Sequence, residues 1–278
     1  MAKNNVTNLI LQTAKRKKRQ ASHLAGPLSR ASSRVFIQQF AFICVLLLLW
    51  EAAGTWLIDP FWSSRPSDIC RRLWQMAGNG DLLRHVDATV SEAGLGLILG
   101  AVVGISLGLA MSRFTRTARV VEPLFMGLYS LPRVALAPLF VLWFGIGLSA
   151  KVMMAFSMVL FVFMLNVLEG IRSLESDHID LLRTMRASRA YILRRVLLPA
   201  IVPWIAAAMR IAVGLAMVGA VVGELIGSNR GVGWYIENAA GQLDSTGVFT
   251  GIIILLILAM VANLIVTRIF HRLTEWRQ

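Results

Sequence analysis

Long apolar stretches alternate with short polar or basic ones along most of this chain. About 20 apolar residues cross the ~30 Å of a bilayer's hydrocarbon. On that measure the pattern predicts membrane helices over about 36–58, 88–111, 120–147, 150–168, 200–226 and 248–267. The second carries Gly96, Gly100, Gly104 and Gly108 at every fourth position, a face on which another backbone can approach closely. Gly219, Gly223 and Gly227 give the fifth a similar face, and the repeat of GAVVG at 100–104 and 219–223 reads as two packing faces rather than a duplication. The third contains Pro123, Pro132 and Pro138. Proline removes a helix hydrogen bond, and broken backbone at membrane depth is tolerated only where protein buries it or it lines a cavity.

The connections are uneven. Trp50, Trp56 and Trp62 mark an aromatic belt around the end of the first span, with Glu51 near its outer end. Residues 59–86 are expected as an outer loop holding one interfacial helix, RPSDICRRLWQMA, capped by Ser67 or Asp68. GSNRGVGWYIENAAGQLDSTG (227–247) is expected as the other large outer loop. The longest polar interruption lies at 169–199 and includes DLLRTMRASRAYILRRVLLPAIVP from Asp180 to Pro203, an amphipathic segment far longer than a turn requires. Residues 1–34 form a basic tail and 271–278 a second short one, leaving 35–270 as the membrane domain.

Composition agrees. The chain has 278 residues, 56% of them hydrophobic and 15% charged, against about a quarter charged in soluble domains. Its net charge of +13 does not indicate nucleic acid, because the basic residues lie between spans. Twenty of the 28 Lys and Arg fall in segments predicted inside and five in the outer loops, which places both termini in the cytoplasm. The run Lys15–Arg19 is read as an orientation signal that can also touch anionic lipid. Cys44 and Cys70 imply no disulfide framework, and the four histidines are too scattered for a metal site.

Charges inside spans cost ~2.5–3.5 kcal/mol on insertion scales and draw attention to function. Arg133, after the Pro132 break, is equally an anion contact or gate on a translocation path and a structural ion-pair partner. Arg210 reaches back to the inner interface. Glu224 sits at the outer end of the fifth span, where a water-facing carboxylate is ordinary. No nucleophile–base set, HExxH or GxxxxGK[ST] is present, so the chain is expected to be no enzyme, and a transporter of this sequence draws energy from an ion gradient or from another polypeptide.

The 169–199 segment resembles the cytoplasmic motif of ABC importer permeases: EAA, three residues, Gly, nine residues, then Ile-x-Leu-Pro. Asp180, Leu181 and Leu182 occupy the EAA positions, Arg186 the Gly position, and Val196, Leu198 and Pro199 the last ones. SLPRVALAPLFVLWFGIG (130–147) and Glu224 with GVGW (231–234) are similar to the nitrate/sulfonate/taurine branch of that family. The resemblance implies an all-α membrane protein with the type I ABC importer permease fold, in a bacterial inner membrane. It implies a pair of permease copies, two ATP-binding ATPase subunits that hold the ATP, and a periplasmic solute-binding protein. It also implies that a small anionic solute crosses by alternating access. Contact with the ATPase falls to Asp180, Leu182, Arg183, Thr184, Met185, Arg186, Ala187, Ser188 and Arg189. The solute's path or gate falls to Ser130, Pro132, Arg133, Met217 and Glu224.

Leu182, Met185, Ile192 and Val196 form an apolar stripe in this reading, ringed by Arg183, Arg186, Arg189, Arg194 and Arg195. Arginine resists a left-handed bend by ~1 kcal/mol or more, so the bend is expected to be right-handed or displaced by a residue. An ion-coupled secondary transporter using Glu224 and Arg133 is the competing class; it has no need of a long basic cytoplasmic segment and predicts internal repeats. A membrane scaffold is the third class, against which the three prolines of one span argue.

Overall fold

The computed structural model describes residues 35–274 except Phe36, Pro60, 175–181 and Arg183, and every regular element among the described residues is helical. Five helices are long and apolar enough to span a membrane, and a sixth span exists if one bent pair counts as a single crossing. The basic tails at 1–34 and 275–278, and Asp180 and Arg183, lie outside the described residues. The chain divides into two units after Ser67.

In the first unit, α1 (Ile37–Trp56) exposes most of its apolar side chains. Glu51 does not simply face outward. Its carboxylate accepts from the Ser67 backbone N–H at 3.0 Å and from the Ser67 hydroxyl at 2.7 Å. Ser67 therefore does not cap the next helix, α2 (Pro66–Asn79), as expected. Pro66 occupies the first helical position, where its missing N–H costs nothing.

The second unit is built around α6 (Leu148–Arg172), the most buried of the helices. On one flank runs α3 (Asp81–Arg113) and on the other α7 (Leu198–Ile226). A Cβ added to Gly96 would lie 2.9 Å from the Phe156 nitrogen; one on Gly100 would meet Val159, one on Gly104 Phe163 and one on Gly108 Val167. Both residue numbers rise together in steps of about four, so α3 and α6 run parallel with the glycine face against the α6 backbone. On the other flank, a Cβ on Gly219 would lie 2.6 Å from the Ala155 Cα and one on Gly223 3.0 Å from the Lys151 Cα. The numbers now run in opposite directions, so α7 is antiparallel. The two GAVVG copies thus serve one helix from its two sides.

The third predicted span is broken. α4 (Thr115–Ser130) and α5 (Ala137–Phe144) are joined by extended residues and a 3₁₀ turn, Arg133–Leu136. The segments 118–130 and 133–144 meet at 86°. Pro132 supplies the reason: it has no N–H to donate and forces Leu131 out of the helical region, to φ −66°, ψ 136°. Pro138 then sits near the start of α5, where proline is at home.

The expected outer loop 227–247 contains a helix, α8 (Val232–Gly241), before α9 (Ser245–Thr274). Val232 packs with Met76 of α2 and Ile254 of α9 in a small apolar core. Arg72 of α2 pairs with Asp244 at 2.9 Å, and Asp244 accepts from the Gly247 N–H at 3.0 Å, capping α9.

Candidate functional site

Among the described residues, the polar groups singled out in the sequence fall in a buried cluster under α8, at the break between α4 and α5, and in the segment leading into α7.

Under α8, Glu224 is 1% exposed, not the water-facing carboxylate expected at a span end. The chain folds back over it after Gly227. Its Oε1 accepts from the Thr89 hydroxyl at 2.6 Å and its Oε2 from the Gly233 N–H at 2.6 Å. The Val232 N–H donates to Thr89 Oγ1 at 2.9 Å, and the Gly231 N–H to His85 Nδ1 at 3.2 Å. The first N–H groups of a helix have no partner within it; here side chains of α3 and α7 supply them, and a carboxylate meets the positive end of the helix. Gly231, at φ 116°, is required by the turn and by space, since a Cβ there would lie 2.7 Å from Glu224 Oε2. Accepting at Nδ1 makes His85 neutral, and its ring stacks on Trp234 with centroids 5.4 Å apart. Burial pushes the Tyr235 hydroxyl on α8 above its usual range.

Beside this lies an ion pair that the sequence reading omits. Lys151 of α6 pairs with Glu92 of α3, and both are more than nine-tenths buried. Lys151 also donates to Ser228 Oγ at 2.9 Å. Glu92 Oε2 has no hydrogen-bond partner. Both charges lie in or at the end of a predicted span, so the cost of intramembrane charge was a signal that could have found them. Their pairing was not, because it depends on the parallel register of α3 and α6.

At the α4–α5 break, Arg133 is 8% exposed. It donates to the Ser157 carbonyl of α6, and its guanidinium carbon lies 4.7 Å from the Phe161 ring centre and 5.2 Å from that of Tyr129. Ring faces attract the cation, but Nη2 is buried without a partner, and no acidic side chain pairs with Arg133 among the described residues. Ser130 and Pro132 beside it are exposed, and the Ser130 hydroxyl bonds back to Met126 O at 2.9 Å. Met217 is in the apolar core with Phe163 and Ala216. Arg133 and Glu224 share no hydrogen bond or ion pair. Arg210 is exposed.

In the leading segment, Arg186 has φ 59°. The bend is therefore left-handed and at the position the family's glycine holds, against the expectation of a right-handed or displaced bend. The Ala187 N–H donates to Leu182 O at 3.0 Å, the six-to-one bond of a Schellman turn in which Arg186 is the left-handed residue. Ser188 then caps the next helical turn, Arg189–Ile192: its Oγ accepts from the Tyr191 N–H at 3.2 Å. A five-residue π turn, Leu193–Leu197, leads into α7. The expected apolar stripe is split: Met185 is 72% exposed, whereas Ile192 is buried and Leu182 and Val196 are half-buried. Thr184, Arg186, Ser188, Arg194 and Arg195 are exposed and Ala187 half-buried.

Residues 96–275 match the family described as binding-protein-dependent transport system inner membrane component. The chain is 32% identical over 237 residues to the formylaminopyrimidine transport permease protein ThiX of Halalkalibacterium halodurans, covering 85% of this chain and 94% of that protein. It is 29% identical over 250 residues to the taurine transport system permease protein TauC of Escherichia coli, covering 88% and 91%. Among solved structures, a chain of the MetNI methionine ABC transporter in an inward facing conformation superposes with a TM-score of 0.63 at 21% identity, over 71% of this chain and 98% of that one, a likeness of fold.

Proposed function

The chain belongs to the family of binding-protein-dependent transport system inner membrane components, and we propose that it is the solute-conducting subunit of an ATP-driven importer. In this reading two copies form the membrane path, and both termini and the 169–199 segment face the cytoplasm. Two ATPase subunits bind that segment and hydrolyse the ATP, and a periplasmic binding protein delivers the solute.

One observation carries the reading. The segment before α7 is two short helical pieces joined by a left-handed residue at the spacing of the family's bend, and it holds Met185, Arg186, Arg194 and Arg195 out from the fold. Exposed Met185 on a segment that also exposes Arg186, Arg194 and Arg195 suits a groove with acidic walls on a partner. The α4–α5 break suits a membrane path better than a scaffold, since bent backbone at membrane depth needs protein or a cavity around it. Ion-coupled transport by Glu224 and Arg133 has less support, because both Glu224 oxygens are engaged in holding α8.

The solute we assign is a small anion of the sulfonate, taurine or nitrate kind, with Arg133 as the cation it meets. A pyrimidine-like solute is the second reading, favoured by the likeness to the formylaminopyrimidine permease. The test is reconstitution of the chain with the ATPase encoded beside it and its binding protein. Vanadate-sensitive ATP hydrolysis with taurine uptake supports the importer and the anion, and Arg133→Ala is expected to lower that uptake at least tenfold. Uptake independent of ATP would overturn the importer, and full taurine uptake by Arg133→Ala would overturn the role of Arg133.

A further inference from the structure

Between α2, α3 and α9 lies a cavity of about 340 Å³. Its walls include Leu73 and Ala77 of α2, Leu83 and Val86 of α3, and Ile254 and Ile257 of α9, and every side chain that lines it is aliphatic. The walls are fixed from behind. Met76 and Ile254 are buried in one small core with Val232, and Arg72 pairs with Asp244, which ties α2 to the residue just before α9. Leu83 and Ile257 are exposed, so the cavity opens outward instead of being sealed.

Its chemistry selects the occupant. A cavity of about 150 Å³ with such walls stays dry and takes up benzene, and this one is larger, with room for a longer hydrocarbon. No lining side chain offers water a hydrogen bond. Both α3 and α9 are long and apolar enough to cross a membrane, so the medium at the opening is lipid. The exposed face of α2 supplies the polar end. Ile69 and Met76 are buried on one side of that helix while Arg71, Trp74 and Gln75 are exposed on the other, the pattern of a helix lying in the membrane interface. Trp74, 83% exposed, is the residue type that sits at headgroup level. Residues three apart on a helix are neighbours, so Arg71 adjoins Trp74, and Trp74 adjoins Ala77 in the cavity wall. Arg72 is committed to Asp244, whereas Arg71 is exposed, and a guanidinium matches the oxygens of a phosphate.

We propose that the cavity between α2, α3 and α9 is a phospholipid site: one acyl chain fills it, and the anionic headgroup is held at Arg71 beside Trp74. The lipid takes the place of side chains missing between the three helices. The site stands independently of what the chain transports, since it needs only that α3 and α9 lie in a membrane.

The test is photolabelling of the full chain in phosphatidylcholine nanodiscs that contain a small share of phosphatidylglycerol with a diazirine in one acyl chain. Adducts are mapped by mass spectrometry, and the exposed side chains Leu264, Ile265 and Ile269 of α9 report the lipid that merely surrounds the protein. Adducts on 73–86 and 254–258 are expected at least fivefold above those on 264–269. Ala77→Trp, which fills the cavity, should bring them down to the level of 264–269. Arg71→Gln changes an exposed side chain and leaves the walls intact. It should abolish the excess over the same experiment with diazirine-bearing phosphatidylcholine. Should Ala77→Trp fail to fold, the parent map and Arg71→Gln still decide. Equal labelling of the two regions means surrounding lipid only and would overturn the site. Labelling of the cavity below that of 264–269 means that protein, such as a second copy of the chain, covers it, and would overturn the site as well. A phosphatidylglycerol excess that survives Arg71→Gln would overturn the role of Arg71.

Discussion

Replacing Lys151 by methionine removes one partner of a buried ion pair and keeps nearly the same volume. Glu92, 1% exposed and facing α6, would be left without its ion-pair partner. Breaking a buried pair by removing one member typically costs ~3–5 kcal/mol, because the other charge stays desolvated. Loss of the 2.9 Å bond to Ser228 adds about 1 kcal/mol at most, as Ser228 keeps its contacts with Arg230. The Lys151→Met protein is therefore expected to lose ~4 kcal/mol, read as a fall of roughly 10 °C in the midpoint of thermal unfolding in detergent. Glu92→Gln in the same chain removes the orphaned charge, and the double variant should recover most of the loss. Removing Lys151 at less than ~1 kcal/mol, or a double variant no more stable than the single one, would refute the account of a desolvated pair.

Two further outcomes follow from packing and backbone. Gly104→Ala should destabilise by ~1–3 kcal/mol, because the new carbon would lie 2.9 Å from the Phe163 Cβ and 3.2 Å from the Met164 nitrogen, and α6 cannot yield without shifting backbone. Gly94→Ala on the same helix meets nothing within 4 Å and should be neutral or mildly stabilising, so chemical unfolding of the two side by side checks the glycine face. Arg186→Gly should relieve about 1 kcal/mol of left-handed strain and slow hydrogen exchange of the Ala187 amide, which bonds to Leu182 O; faster exchange would count against the strain.

Five of the six expected spans, the glycine faces and the break after Ser130 were legible in the sequence, because each follows from local chemistry: apolar length, four-residue spacing and proline geometry. The burial of Glu224 was not. VGWYIENAAG reads as loop between glycine-rich flanks, and α8 forms because Thr89 and Glu224, distant in sequence, receive its first N–H groups. The hand of the bend at Arg186 was misjudged for the opposite reason. Residue preference disfavours it, but the Schellman bond and the Ser188 cap on either side hold the backbone there. Lys151 and Glu92 are 59 positions apart, and only the parallel run of α3 beside α6 makes them partners.

The π turn at Leu193–Leu197 bears on how the segment before α7 is aimed. Such a turn holds one residue more than an α-helical turn, and each α-helical residue advances by about 100° around the axis. Everything before it is consequently out of phase with α7 by roughly a quarter-circle, as though the helix had been cut, twisted and rejoined. Arg194 and Arg195, within the turn, are exposed, while Ile201, Ala208 and Ala212 after it are buried. The azimuth of the Arg189–Ile192 turn about the α7 axis is thus set by the number of residues between Ile192 and Leu198, independently of which residues they are.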